Sequence, residues 1–531
     1  MKFNLLTASI MASLVLIPAL SAEAKEATLV FCSEGGPESF NPQLGTAGTT
    51  FDASATPIYN RLVEFSPGST ETKPGLAESW TISPDGLVYT FKLRQNVKWQ
   101  TTKDFTPTRN FNADDVVFSF ERMWKEDNAY HKVSGGTYTY FAETSMPDVL
   151  KSIEKVDDNT VRITLNAPNS PFTNILALYS FSILSKEYAD QMLKAGTPEK
   201  LDTNPVGTGP FVLVDYVKDS TIRYKANKDY WKGAPKFDNL VFSITTDAAT
   251  RASKIEKGEC HVMAYPNAAD LPKLKADKNL KVLQQEGFNV AYLGFNVEKK
   301  PFNDKKVRQA LNMAIDKTNL IKAVYLGAAT PAVNPIPPTL WSYNKQVKDY
   351  SYDPAKAKKL LEEAGYKDGF ETTLWYMPVV RPYNPNGQKM AEAMQADLAK
   401  VGVKVKLVTY EWKEYLKRQR EGEHDMLQLG WTGDYPDPDN FLNTLLSCDA
   451  AKTSTSRWCD KNFDDLVVKA RQVSDVKERT KLYEEAQKVF KEEAPWFTVA
   501  HSIVNEITRA NVEGYKMSPL GSHDFQEVSL K

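Results

Sequence analysis

Two proline-stiffened segments of this chain each carry one residue of a type that grips a charged ligand. The first, Met377-Pro378-Val379-Val380-Arg381-Pro382-Tyr383-Asn384-Pro385, holds a lone arginine whose planar fork suits a carboxylate. The second, Gly430-Trp431-Thr432-Gly433-Asp434-Tyr435-Pro436-Asp437-Pro438-Asp439, presents an acid among aromatic residues, a seat for an amino group. A zwitterion fits between such groups. The charged ends of a two-residue peptide stand on the order of 7 Å apart, within reach of neighbouring loops. Contacts of this kind select sharply, because an analogue lacking one terminus leaves a desolvated charge unpaired. The same spacing is equally compatible with a structural salt bridge from Arg381 to Asp434 or Asp437. A calcium loop built on Asp434, Asp437 and Asp439 is disfavoured by the prolines at 436 and 438 and by the missing turn glycine.

Other chemistries lack their residues. The chain has no GxSxG elbow, HExxH, GxGxxG or Walker loop. Gly207-Thr208-Gly209 precedes a strand pattern rather than a helix, which argues against a phosphate cradle. The five histidines, His131, His261, His424, His501 and His523, are scattered singly and no CxxC occurs, so no metal or cofactor is expected. A hydrolase would need a nucleophile with its base, or a metal, and neither is apparent. The expectation is a binder rather than an enzyme.

The elements that must position the two loops are legible nearby. Apolar spacing predicts strand 370–376, helix 388–401, strand 403–410, helix 412–420 and strand 425–431, a β-α-β-α-β unit that calls for a parallel sheet. Ligands of open α/β sheets bind outside the carboxyl ends of the strands, and both loops leave such ends. Earlier regions read as scaffold: strands at 87–93 and 160–165, and a helix capped by Asn112 with Asp115 at its third position. Helices also follow Asn303 or Asp304, and Asp353 with Pro354.

The first 24 residues have the form of an export signal, with Lys2, an apolar run from Ile10 to Leu20 and the small-x-small exit Ala22-Glu23-Ala24. The first cysteine, Cys32, follows bulky Thr28-Leu29-Val30-Phe31, which is no lipobox, so a soluble exported protein is expected, in the periplasm and without a lipid anchor. With 531 residues the chain exceeds a single core, so two or three lobes with a cleft are expected. Lys and Arg number 66 against 67 Asp and Glu, a balance that points away from nucleic acid. An aromatic share of 11% supplies walls for a small-ligand site. Four cysteines in an exported chain read as two disulfides with three possible pairings. The close pair Cys448 and Cys459 is expected to staple its loop, leaving Cys32 with Cys260.

Several segments resemble a known family, the extracytoplasmic solute-binding proteins of peptide and nickel ABC transporters (family 5). They include Cys32-Ser33-Glu34-Gly35, Tyr59-Asn60-Arg61-Leu62-Val63-Glu64-Phe65, Gly75-Leu76-Ala77-Glu78-Ser79-Trp80, the stretch from Phe111 to Phe120, the stretch from Asn204 to Phe211, and Lys306-Val307-Arg308-Gln309-Ala310-Leu311. The motifs Arg-Pro-Tyr-Asn-Pro at 381–385 and Gly-Asp-Tyr-Pro-Asp-Pro-Asp-Asn-Phe at 433–441 resemble its dipeptide branch. The resemblance implies an α/β type II periplasmic-binding-protein fold. Its lobe I would cover 25–286 with a subdomain inserted at about 58–205 and would be completed by 506–531; lobe II would cover 287–505. It implies that Arg381 binds the ligand carboxylate and Asp434 its amine, with Thr46, Gly48, Tyr138, Tyr383, Trp431, Thr432 and Gly433 lining the site. It also implies disulfides Cys32–Cys260 and Cys448–Cys459, a monomer, dipeptide as ligand and an inner-membrane ABC permease as partner. Relatives assigned to haem or glutathione share Phe105-Thr106-Pro107-Thr108-Arg109 and Ala494-Pro495-Trp496, so those ligands are the alternative. The missing lipid anchor, the cysteine pairs and the proline-braced acidic loop favour dipeptide.

Overall fold

The computed structural model describes residues 26–531; the signal reading of 1–24 lies outside the described residues. Its largest sheet pairs twelve strands of mixed direction. From one edge the order is Val403–Val408, Phe370–Trp375, Met426–Thr432, Asn289–Phe295, Trp496–Arg509, Val262–Ala264, Thr28–Ser33, Asn239–Ile244, Thr221–Ala226 and Phe211–Val217. Leu280–Glu286 and Ala329–Pro331 also pair with the long strand Trp496–Arg509.

That 14-residue strand is shared between two halves. Its first part, Trp496 to Ala500, pairs with Asn289–Phe295. Its last part, from Ile503 onward, pairs with Leu280–Glu286 and Val262–Ala264. The apolar cores divide the same way. One pair of clusters is built around Phe31, Phe91, Phe242 and Ile255, the other around Phe295, Leu311, Phe441 and Tyr483. The molecule therefore has two lobes, joined where the chain crosses near 286–289 and 500–506. Tyr435, a residue of the second lobe by sequence, packs into the first lobe's core, so the lobes are in contact.

An antiparallel sheet of Ala77–Ile82, Val88–Leu93, Thr160–Leu165 and Leu150–Asp157 forms a separate layer in the first lobe, covered by the helix Ala113–Trp124. That helix starts where it does because Asn112 accepts from Asp114 N at 3.0 Å while the Asp115 carboxylate accepts from Asn112 N at 3.0 Å, satisfying backbone donors that the helix itself cannot. Disulfides join Cys32 to Cys260, tying Thr28–Ser33 to the segment before Val262–Ala264, and Cys448 to Cys459 across a short loop. Among the described residues no helix is long and apolar enough to cross a membrane.

The site-bearing unit is the second lobe's edge. Phe370–Trp375 runs parallel to Val403–Val408 over its whole length and parallel to Met426–Thr432 at Leu374 and Trp375. The helix Gly387–Ala399 between the first two is capped by Asn386, whose side chain accepts from Lys389 N. The connection is longer than the helix because residues 376–386 are spent on the Arg381 loop.

Candidate functional site

Because the strands Phe370–Trp375 and Met426–Thr432 are parallel neighbours, the loops that follow them leave the sheet at one rim. The Arg381 loop is fixed by its own backbone. Arg381 N donates to Asn384 O at 3.0 Å and Asn384 N to Arg381 O at 2.9 Å, closing a tight turn over Pro382 and Tyr383. The turn is then pinned to the sheet. Asn384 Nδ2 donates to Gln428 Oε1 at 3.2 Å, and Tyr325 Oη donates to Tyr383 O at 2.6 Å. The Tyr383 ring lies so close to Gly430 that a Cβ there would stand 2.2 Å from it, which explains a glycine in mid-strand. The Arg381 guanidinium itself is only lightly engaged. It donates to Val380 O at 3.1 Å and lies 5.1 Å from the centre of the Trp412 ring. Among the described residues it forms no ion pair. Its charge does reach across to the first lobe: burial raises the Glu34 carboxyl, and Glu34's own backbone, Arg251 and Arg381 pull against that rise.

The acidic loop sorts its three aspartates by partner. Asp437 pairs with Arg479 at 2.7 Å, and Asp439 lies 3.5 Å from Arg471. Asp434 has no cationic partner among the described residues. Its Oδ1 accepts from Tyr140 Oη at 3.0 Å, a contact made across the lobes, and its Oδ2 accepts from Asn440 Nδ2 at 3.2 Å. Asn440 also fixes the loop, since its Oδ1 accepts from Asp434 N at 2.9 Å and from Trp431 Nε1 at 3.0 Å. Burial pushes the Asp434 carboxyl up to about 7 against the pull of the Asn440 and Tyr140 hydrogen bonds, with Glu143 adding to the rise. A buried carboxylate at this value ionises readily beside a cation and is costly to ionise alone. The salt bridge from Arg381 to Asp434 or Asp437 that the spacing allowed is not formed.

The remaining expected residues fall in different places. Trp431 and Thr432 are partly buried on the Asp434 loop, and Thr432 pairs with Asn289 at the chain's crossing. Gly433 donates to Phe288 O at 2.7 Å and is closed over by the Phe288 and Phe441 rings. Tyr383 is buried beneath its loop. Thr46 and Gly48 are exposed at the start of the short helix Gly48–Ala53, with the Thr46 and Ala47 amides held by Glu38. That helix turns Phe51 against Tyr140, ring centres 5.7 Å apart. Tyr138 lies within the first lobe. It is 7% exposed, donates to His131 O at 3.0 Å and accepts from Arg122 Nε at 3.2 Å. Tyr140, two residues on, is the tyrosine that meets Asp434. Sequence reasoning missed it because the run Tyr138-Thr139-Tyr140-Phe141 offers two tyrosines at the start of a short helix, Tyr138 as its N-cap and Tyr140 within it, and no periodic signal to choose between them.

Known proteins share this architecture. The profile of the bacterial extracellular solute-binding proteins, family 5, middle region, matches residues 71–453. The dipeptide-binding protein of Escherichia coli (strain K12) is 57% identical over 515 residues, 97% of this chain and 96% of that one. The heme-binding protein A of Haemophilus influenzae is 53% identical, over 95% of this chain and 92% of its own. Among solved structures, the dipeptide-binding protein from Pseudoalteromonas sp. SM9913 in complex with Met-Leu superposes with a TM-score of 0.86 at 41% identity, covering 95% of this chain and all of that one. Family profile, near-full-length identity and shared fold agree that this chain belongs to the bacterial extracellular solute-binding proteins of family 5.

Proposed function

We propose that this protein captures dipeptides between its lobes and delivers them to an ABC permease of the inner membrane, without catalysing any reaction on them. In this reading the ligand carboxylate meets Arg381 and its amino group meets Asp434. The observation that carries it is a pair of opposite charges left without ionic partners on the same rim: Arg381 on a backbone carbonyl and an aromatic face, Asp434 on two neutral donors. Every other acid of that loop is matched to an arginine. A buried unpaired charge is costly, and a zwitterion of the right length neutralises both at once. Broad side-chain tolerance follows, because the binding energy rests on the termini. The relatives named for dipeptide binding support the same ligand. Export to the periplasm by a cleaved signal, without a lipid anchor, belongs to this reading, as does action as a monomer.

Calorimetry with Ala-Ala, Ala-Ala-Ala and N-acetyl-Ala-Ala tests it. Ala-Ala alone binds tightly on this account; equal binding of all three removes it. The 53% identity to a heme-binding protein supports haem as a second ligand. A haem Soret shift reversed by excess Ala-Ala would place both in one cleft, and no shift would discard haem.

A further inference from the structure

Among the described residues, buried arginines are matched to acceptors, with one exception. Arg122 pairs with both Asp202 oxygens at 2.8 and 2.9 Å, Arg479 with Asp437 at 2.7 Å, and Arg308 with Phe302 O at 2.7 Å and with Glu493. Arg251 donates to the Thr245 and Thr246 carbonyls, each at 2.8 Å. Arg61 differs. It is 7% exposed, its guanidinium makes no hydrogen bond or ion pair among the described residues, and its Nε is sealed from solvent without an acceptor. The fork lies over the Tyr179 ring, 4.6 Å from its centre. It is held there from behind, because Arg61 O accepts from Leu76 N at 2.8 Å and Gly75 packs so tightly that a Cβ would come within 2.4 Å of that oxygen.

Arg61 lines a cavity of about 50 Å³ in the first lobe, together with Lys73, Lys232, Tyr230, Ser522 and Asp524. Neither carboxylate on its wall hydrogen-bonds Arg61, although after Lys232 its charge helps to hold the Glu64 carboxyl low. Glu64 is taken by Lys232 and by Asn60 Nδ2 at 2.8 Å, and Asp524 accepts from Gln526 N at 2.9 Å, its carboxyl raised by burial. Cations are crowded here: burial, and then Lys232, lower the Lys73 ammonium from its usual range. At roughly 10–15 Å³ per water-sized position, the space admits about three to five atoms, enough for a compact anion and too little for a peptide. A guanidinium fork and an ammonium lining one small cavity, with an aromatic ring under the fork, suit an oxyanion.

We infer that this cavity is a second binding site, separate from the interlobe cleft, which takes a compact oxyanion of the phosphate class on Arg61 and Lys73. The test uses the full exported chain, freed of peptide, with inorganic phosphate as the probe and potassium chloride at matched ionic strength as the reference. Phosphate raises the melting temperature saturably beyond chloride, and calorimetry gives one site per chain. Arg61→Met weakens the phosphate Kd by about tenfold or more, the loss expected for a charge-assisted fork. Lys73→Ala, at a partly exposed position whose change the fold tolerates, weakens it by about threefold or more. No increment over chloride in the unaltered protein overturns the inference. So does an unchanged phosphate Kd in Lys73→Ala, which decides the matter if Arg61→Met does not fold. A phosphate effect that vanishes in Arg381→Ala and persists in Arg61→Met would put the anion at the clamp and equally overturn it.

Discussion

Asp434 gives the proposed clamp a pH dependence that can be worked from its surroundings. With its carboxyl near 7 in the unliganded protein, about 1% is ionised at pH 5, while the amino group of a dipeptide, titrating near 7.7–8.0, is fully cationic there. Binding needs the carboxylate, so Ala-Ala affinity is expected to fall about 100-fold from its ionised limit by pH 5, or about 2.7 kcal/mol at 1.36 kcal/mol per pH unit. Above about pH 8 the amine loses its proton and affinity declines again. Stability moves the other way. Between about 4 and about 7 the folded protein holds a proton on Asp434 that the unfolded chain has released, so unfolding free energy falls as pH rises through that window. The rise from 3.8 to about 7 sets an upper bound of about 4 kcal/mol on this cost at pH 8. Asp434→Asn therefore binds Ala-Ala weakly at every pH, loses the acid limb, and gains more in melting temperature over the unaltered protein at pH 8 than at pH 5. Glu506 is buried and also lifted to about 7, so the comparison between variant and unaltered protein, rather than either curve alone, isolates Asp434. Calorimetry and thermal melts at pH 5, 6, 7 and 8 measure all of this. An Ala-Ala affinity that stays flat from pH 5 to 8 in folded protein would refute the reasoning, as would the same acid decline in Asp434→Asn.

Further outcomes follow from the same contacts. Arg381→Ala should weaken Ala-Ala by about 2–5 kcal/mol in calorimetry and leave the melting temperature nearly unchanged, because among the described residues the guanidinium touches only Val380 O and the Trp412 face and acts on Glu34 from a distance as the last of the influences on that carboxyl. Tyr140→Phe removes one of the hydrogen bonds that hold the Asp434 carboxyl down, so the midpoint of the acid limb should move to higher pH in the same titration. Gly433→Ala forces a Cβ to within 2.2 Å of the Phe288 ring and should cost about 1–3 kcal/mol in denaturant unfolding. Replacing Cys448 and Cys459 together by serine opens a loop whose ends lie 11 residues apart and should cost up to about 3 kcal/mol in the same measurement.

The sequence by itself determined the elements and the rim. Apolar period placed the strands and helices from Phe370 to Trp431, the alternation of strand and helix demanded parallel pairing, and parallel pairing put the loops of Arg381 and Asp434 at the same end. Asn112 and Asp115 marked a helix start that the backbone uses. The periods and caps are local rules, and the alternation that demands parallel pairing is read from consecutive elements of one stretch of chain. Tertiary structure alone decided which charges stay free. Three aspartates of one loop are alike in sequence, and only the arrival of Arg479 and Arg471 from later helices takes Asp437 and Asp439, leaving Asp434. The partner of Asp434, Tyr140, comes from 294 residues earlier, and its neighbour Tyr138 turns inward to Arg122. Such contacts depend on how whole lobes pack, and no spacing along the chain encodes which of two tyrosines two residues apart meets Asp434.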